Sequence, residues 1–141
     1  MRDRNALRST AALVAVALLL VGVLGFVPGI TTQYGDLSFA GHGSGAKLFG
    51  VFQTSVLQNL LHLAYGVGLV AATTIEGARA YLLVGGIVFL VVWLVGVMGA
   101  LEWLPVNPAD NWLHFALGVG MLAAGFAAAG VAPLEAAVGD R

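Results

Sequence analysis

Four long runs of apolar residues constrain the fold of this chain more than any other feature of its sequence. They occupy positions 11–27, 55–75, 81–104 and 108–131, and polar residues, glycine or proline separate them. A helix rises about 1.5 Å per residue, so a stretch of about 20 apolar residues crosses the hydrocarbon core of a bilayer. The runs predict an all-α integral membrane protein, a bundle of four transmembrane helices that we number 1 to 4 in chain order.

The overall composition excludes several classes of function. Of the 141 residues, 60% are hydrophobic and only 9% are charged, whereas about 25% are charged in a typical soluble domain. The formal net charge of −1 provides no basic surface for nucleic acid. The chain contains no cysteine, which excludes disulfides, thiolate metal sites and thiol nucleophiles. The expected partner is therefore the lipid bilayer, and assembly into homo-oligomers stays open.

The connections between the runs carry capping and turn signals. Ser55 is positioned to cap helix 2, and Asn107 followed by Pro108 is positioned to start helix 4. Polar residues at 76–79 predict a tight turn between helices 2 and 3. Between helices 1 and 2, the segment 44–52 predicts a short interfacial helix.

The basic residues are divided unevenly between the two ends of the predicted bundle. In a four-span arrangement, Lys47 falls on one side and the arginines fall on the other, namely Arg2, Arg4, Arg8, Arg79 and Arg141. Short loops rich in Lys and Arg stay in the cytoplasm. Both termini are therefore expected in the cytoplasm.

The chain also resembles itself. Residues 59–72 match residues 111–124 at a constant offset, with Asn, His and two glycines shared. The preceding helices match more weakly, at 21–25 and 95–99. Such self-similarity predicts a duplicated pair of helices.

The duplication defines the expected domain organisation. We expect one transmembrane domain over 1–141, built from two hairpin repeats at about 11–76 and 81–131. Since each repeat contains two spans, both repeats enter the membrane from the same side and form a parallel repeat.

Each repeat places polar side chains and glycine on one helical face, at positions i, i+3 and i+7. The resulting stripes are Asn59, His62 and Gly66 in helix 2, and Asn111, His114 and Gly118 in helix 4. Gly68 and Gly120 complete the set of predicted helix-packing glycines. Because amide and imidazole groups are costly in lipid, both stripes are expected to face each other inside the bundle.

Four interpretations of this buried polar cluster stay open at the level of sequence. In the first, the two asparagines and two histidines hydrogen-bond across helices 2 and 4 and have a structural role. In the second, His62 and His114 provide both axial ligands of a haem, because they lie at equal depth on facing helices. No cofactor is expected under the first interpretation.

The other two interpretations involve a metal ion or protons. In the third, His42, His62 and His114 bind a metal together with acidic residues, for which the candidates are Asp36, Glu102 and Asp110. In the fourth, the cluster is the proton-responsive element of a small transporter or sensor, because imidazole titrates near neutral pH. The chain has no hydrolase elbow, phosphate-binding loop or metalloprotease motif, so an enzyme is not expected.

Six segments carry a resemblance to a known family. They are GFVPG at 25–29, GHGS at 41–44, LFGVF at 48–52, NLLH at 59–62, YLLVGG at 81–86 and PVNPADNWLH at 105–114. On these segments the chain resembles the domain of unknown function 4383 family of prokaryotic four-span membrane proteins. The family pattern often has a histidine where this chain has Gln58, and Asn-Pro where it has Ser55-Val56. The resemblance implies a multi-pass protein of a prokaryotic cytoplasmic (inner) membrane, and it implies no particular activity.

Overall fold

The computed structural model describes residues 2–100 and 102–127, most of which are helical. The α-helices are α1 (Arg2–Leu24), α2 (Val56–Ala64), α3 (Gly68–Ala71), α4 (Ile75–Val97) and α5 (Pro108–Ala127). Because only a short turn separates α2 from α3, the helices form four successive elements, which confirms the predicted number. The predicted end of helix 4 at 128–131, Arg141 and the side chain of Arg2 lie outside what the structure describes.

Two of these helices have the length and composition needed to cross a membrane. The most apolar stretches of Arg4–Leu24 in α1 and of Ile75–Val97 in α4 reach mean hydropathies of 2.2 and 2.6. Only 28% of each stretch is buried inside the protein. Large apolar side chains therefore lie on the outer surface of the helices, among them Leu13, Leu20, Val67, Val70, Val84, Ile87, Val91 and Phe126.

Helix α4 lies earlier in the chain than the predicted span 81–104. The predicted turn at 76–79 is wrong, because Thr74 caps the helix and its Oγ1 accepts a hydrogen bond from the Gly77 N–H at 3.0 Å. The residues of that turn therefore form the first turns of α4. At the other end, Gly99 adopts a φ of 68°, a left-handed conformation that terminates helices and that glycine tolerates.

The second predicted helix, 55–75, is interrupted rather than continuous. Ser55 caps α2, and its Oγ accepts a hydrogen bond from a first-turn N–H at 3.2 Å. A 3-10 turn at Tyr65–Val67 then separates α2 from α3. The Tyr81 hydroxyl donates to the Tyr65 carbonyl at 3.1 Å, and the Tyr81 ring lies against the backbone of Gly68. Tyr81 of α4 therefore contacts the predicted helix at the point where it is interrupted.

A small antiparallel sheet occupies the region of the predicted interfacial helix at 44–52, and that prediction is wrong. The strands are β1 (Thr31–Thr32), β2 (Lys47–Leu48) and β3 (Phe52–Gln53), with Thr31 opposite Leu48 and Lys47 opposite Gln53. Phe49 and Gly50 have φ values of 53° and 72°, which suit a tight turn between strands and interrupt a helix. The buried Thr31 donates from Oγ1 to the Leu24 carbonyl at 3.1 Å, so the sheet is attached to the end of α1.

The helices pack with α4 along α5, and with α1 against α2, α3 and α4. The backbones of α4 and α5 approach closely: a Cβ atom on Gly86 would lie 2.9 Å from the Gly118 carbonyl oxygen. At the end opposite the sheet, the Arg8 Nε donates to the Ala72 carbonyl at 2.8 Å and satisfies the end of α3. The shared core contains Leu7, Ala11, Ala15, Leu18, Ala78, Leu82 and Phe89.

Candidate functional site

The two histidines of the predicted stripes lie at one place in the bundle. His62 on α2 and His114 on α5 line both of two cavities, which have volumes of about 360 and 240 Å³. The His114 ring stacks on Phe89 of α4 with 5.6 Å between the ring centroids. The buried Nδ1 atoms of both histidines have no hydrogen-bond partner among the described residues. The structure thus brings the pair to one site and leaves a polar atom of each unsatisfied.

The larger cavity lies between α1, α5 and the sheet. Its wall is mostly apolar and includes Leu13, Val14, Leu18, Phe49, Phe52 and Leu117. Gln58 lines both cavities together with the two histidines. Its buried Oε1 also lacks a hydrogen-bond partner in the described part of the chain. An apolar cavity with a few convergent polar groups is the usual form of a small-molecule site.

Asn59 is held within its own helix pair. Its side chain is fully buried, and its Oδ1 accepts a hydrogen bond from the Thr54 Oγ1 at 2.6 Å. The amide lies against Gly25, just beyond the end of α1, where a Cβ atom would collide with it. The buried position of the Asn59 amide therefore requires glycine at position 25.

Asn111 is held in a similar way in the second half of the chain. Its amide lies against Gly96 near the end of α4, and a Cβ atom there would again collide with the Oδ1. That Oδ1 is buried and has no partner within residues 2–100 and 102–127. Each asparagine thus packs on a glycine at or just beyond the end of the helix that precedes it.

The four predicted polar side chains do not hydrogen-bond to one another in the described structure. Asn59 is hydrogen-bonded to Thr54 instead. Each of the four side chains also has a buried nitrogen or oxygen atom without a hydrogen-bond partner in the described residues. The pairwise hydrogen bonds expected across helices 2 and 4 are therefore replaced by separate contacts with glycine, Phe89 and the cavities.

The four predicted packing glycines have different surroundings. Gly66 lies against Leu19, Gly68 against the Tyr81 ring, and Gly118 against Leu90 and the Gly86 carbonyl. A Cβ atom on Gly120 would meet nothing within 4 Å, so this glycine faces open space. The repeat therefore does not reproduce the contact of Gly68 at Gly120.

The residues proposed for a metal site are not gathered into one cluster. His42 is exposed in the loop between β1 and β2, whereas His62 and His114 lie inside the bundle. Among the described residues, no three His, Cys, Asp or Glu side chains are placed to hold a metal ion. Asp36 and Glu102 are exposed. Asp110 is buried and has a structural role.

Asp110 has a role that the sequence did not lead us to expect. It is 3% exposed, and its Oδ2 accepts hydrogen bonds from the Asn107 N–H at 3.0 Å and the Gln53 N–H at 3.1 Å. The Asn107 side chain accepts from the Asp110 N–H and donates to the Val51 carbonyl at 2.7 Å. The sequence does contain a signal for this role, because an Asn followed three residues later by an Asp is the spacing of a reciprocal helix cap. Asp110 therefore both caps α5 and attaches the sheet to it.

The comparisons with known proteins identify a family. A family profile described as a domain of unknown function (DUF4383) matches residues 8–127, which extend from the first turns of α1 to the end of α5. No curated protein and no solved structure matches the chain.

Proposed function

The chain belongs to the DUF4383 family, and we propose that it is a four-span, non-catalytic protein of a prokaryotic cytoplasmic membrane. In this proposal α1, α2 with α3, α4 and α5 cross the bilayer as two parallel hairpins. Asn59 and Asn111 pack inside one hairpin each, and His62 and His114 lie where the two hairpins meet.

The distribution of polar and apolar side chains is the observation that carries this proposal. Asn59 and His114 are 0% and 6% exposed, whereas Leu13, Val70 and Val84 are 70%, 72% and 61% exposed. A soluble monomer rarely exposes large contiguous apolar surfaces. Lipid tails are as apolar as leucine, so a bilayer covers such a surface without penalty and favours burial of polar groups inside the bundle.

The positions of the charges support an orientation with both termini in the cytoplasm. Arg8 contacts Ala72, and Arg79 lies in the first turns of α4, at the end of the bundle away from the sheet. Lys47 lies in the sheet at the other end. Exposed Trp112, near the start of α5, suits the outer interface, where amphipathic aromatic rings are enriched.

Haem ligation is less well supported by the arrangement of the two histidines. A histidine that ligates a metal usually donates its second ring N–H to a carboxylate, carbonyl or water that fixes the ring. The Nδ1 atoms of His62 and His114 have no such partner among the described residues. We therefore propose that the pair lines the two cavities without ligating a haem.

Cysteine scanning tests the proposed topology directly, because the chain has no native cysteine. His42→Cys in intact cells should react with a membrane-impermeant maleimide, since the proposed orientation places the loop between β1 and β2 outside. Asn5→Cys and Thr73→Cys, both exposed positions at the opposite end, should react only after the membrane is permeabilised. Reaction of all three in intact cells, or recovery of the protein in the soluble fraction, would refute the proposal.

A further inference from the structure

We propose that the larger cavity binds a neutral, lipid-soluble alcohol or phenol. Its hydroxyl group would meet Gln58, His62 and His114, and its apolar body would lie between α1 and α5. This inference rests on the proposed placement of the chain in a membrane, and it adds the chemistry of the ligand.

The polar wall of the cavity is the first line of support. The Oε1 of Gln58 and the Nδ1 atoms of His62 and His114 are buried without partners in the described structure, and all three residues line this cavity. A buried polar atom without a hydrogen bond is costly. The three side chains together give this wall groups able to donate and accept hydrogen bonds, which stabilise a bound hydroxyl group.

The charges around the cavity favour a neutral ligand. Within the described residues, no Lys or Arg lines the cavity, and the one acidic residue that does is Asp110. A carboxylate or phosphate would enter a mostly apolar space, beside an acid and without a cation to pair with it. A neutral imidazole offers one donor and one acceptor, which matches a hydroxyl group that both donates and accepts.

The size and position of the cavity indicate how such a ligand enters. Its volume of about 360 Å³ is at the lower end of the range for small-molecule sites, about 300–1,000 Å³, so it accommodates one small molecule. Leu13 lines the cavity and is also 70% exposed on the outer face of α1. The cavity therefore extends to the surface that we assign to lipid, and a molecule dissolved in the bilayer reaches it from the side.

Photolabelling in phosphatidylcholine vesicles tests this inference with an aliphatic alcohol that carries a diazirine. The full-length protein should be labelled saturably at cavity residues such as Leu117. Excess octanol should displace the probe, whereas an alkane at equal membrane concentration should not. His62→Leu should weaken binding about three- to tenfold, the loss expected for one hydrogen bond, and His42→Leu should have no effect.

A second pair of variants tests whether the ligand occupies the cavity volume, and it keeps the test decisive if His62→Leu does not fold. Ala17 lines the cavity, and Val16 is 41% exposed and does not line it. Ala17→Phe should abolish saturable labelling, and Val16→Phe should preserve it.

The labelling pattern also separates the two proposals from each other. Equal displacement by alcohol and alkane would show that an acyl chain of the bilayer fills the cavity, and it would overturn the inference. Unsaturable labelling of protein that resists alkaline extraction would overturn the inference and leave the membrane placement intact. Release of the protein by alkaline carbonate would overturn the proposed function.

Discussion

Gly118→Leu is expected to separate α4 from α5 and to lower the stability of the bundle by about 3 kcal/mol, at the upper end of the usual cost of overpacking. A Cβ atom at Gly118 would lie 2.7 Å from Leu90 and 3.0 Å from the Gly86 carbonyl oxygen. The Leu90 side chain has some freedom to move, but the α4 backbone at Gly86 moves only with the whole helix. The free energy of unfolding in mixed micelles, measured as denaturing detergent is added, provides the test.

Gly120→Leu is the matched control, because it introduces the same side chain two residues later on the same helix. Nothing lies within 4 Å of a Cβ atom at Gly120, so Gly120→Leu should not lower stability, and the better helix propensity of leucine favours the helix by up to about 1 kcal/mol. Equal losses in the two variants would show that the close contact of α4 and α5 is not what the substitution disturbs.

Asp110→Ala should cost about 2–4 kcal/mol, because it removes the acceptor of two backbone hydrogen bonds and half of a reciprocal helix cap. The N–H groups of Gln53 and Asn107 lose the carboxylate that both contact. The sheet loses one of its attachments to α5, and Asn107 keeps its own contact with Val51. We therefore expect both lower stability and faster proteolysis within residues 47–53.

Asp110→Asn is the control for this prediction, since an amide oxygen still accepts hydrogen bonds and asparagine also suits the start of a helix. It should lose less than half as much stability as Asp110→Ala. Wild-type stability and protease resistance in Asp110→Ala would contradict the proposed attachment of the sheet.

The helices were largely predictable because apolar runs and local caps determine them. Ser55, Asn107 and Pro108 mark the starts of α2 and α5 through contacts within a few residues. The sheet was not predictable in the same way, since β1 pairs with β2 across a long loop. The left-handed turn at Phe49 and Gly50 joins β2 to β3, and the apolar pattern of the segment fits a helix equally well.

The candidate site was predictable in its residue types and only partly in its contacts. A spacing of i, i+3 and i+7 places Asn59 and His62 on one helical face whatever the fold. Their surroundings depend on other elements: Thr54 and Gly25 hold Asn59, and both cavities adjoin His62. Sequence repetition alone does not specify such contacts.

Gly68 and Gly120 show why two similar repeats differ in structure. The two glycines match in the sequence repeat. Gly68 is covered by Tyr81 of α4, the helix that follows it, whereas Gly120 faces open space in the described structure. The position of a residue in the chain therefore decides its packing as much as the repeated sequence does.

Spin-label accessibility along α4 in lipid vesicles is the most direct test of a bundle that exposes its apolar faces to lipid. Single cysteines at positions 82, 84, 87, 89 and 91 would each carry a nitroxide label, and collisions with oxygen and with a water-soluble nickel complex would be measured. Oxygen access should peak at Val84, Ile87 and Val91, which are exposed, and fall at the buried Leu82 and Phe89, with little nickel access throughout. High nickel access at the three exposed positions would place them in water and contradict the membrane assignment.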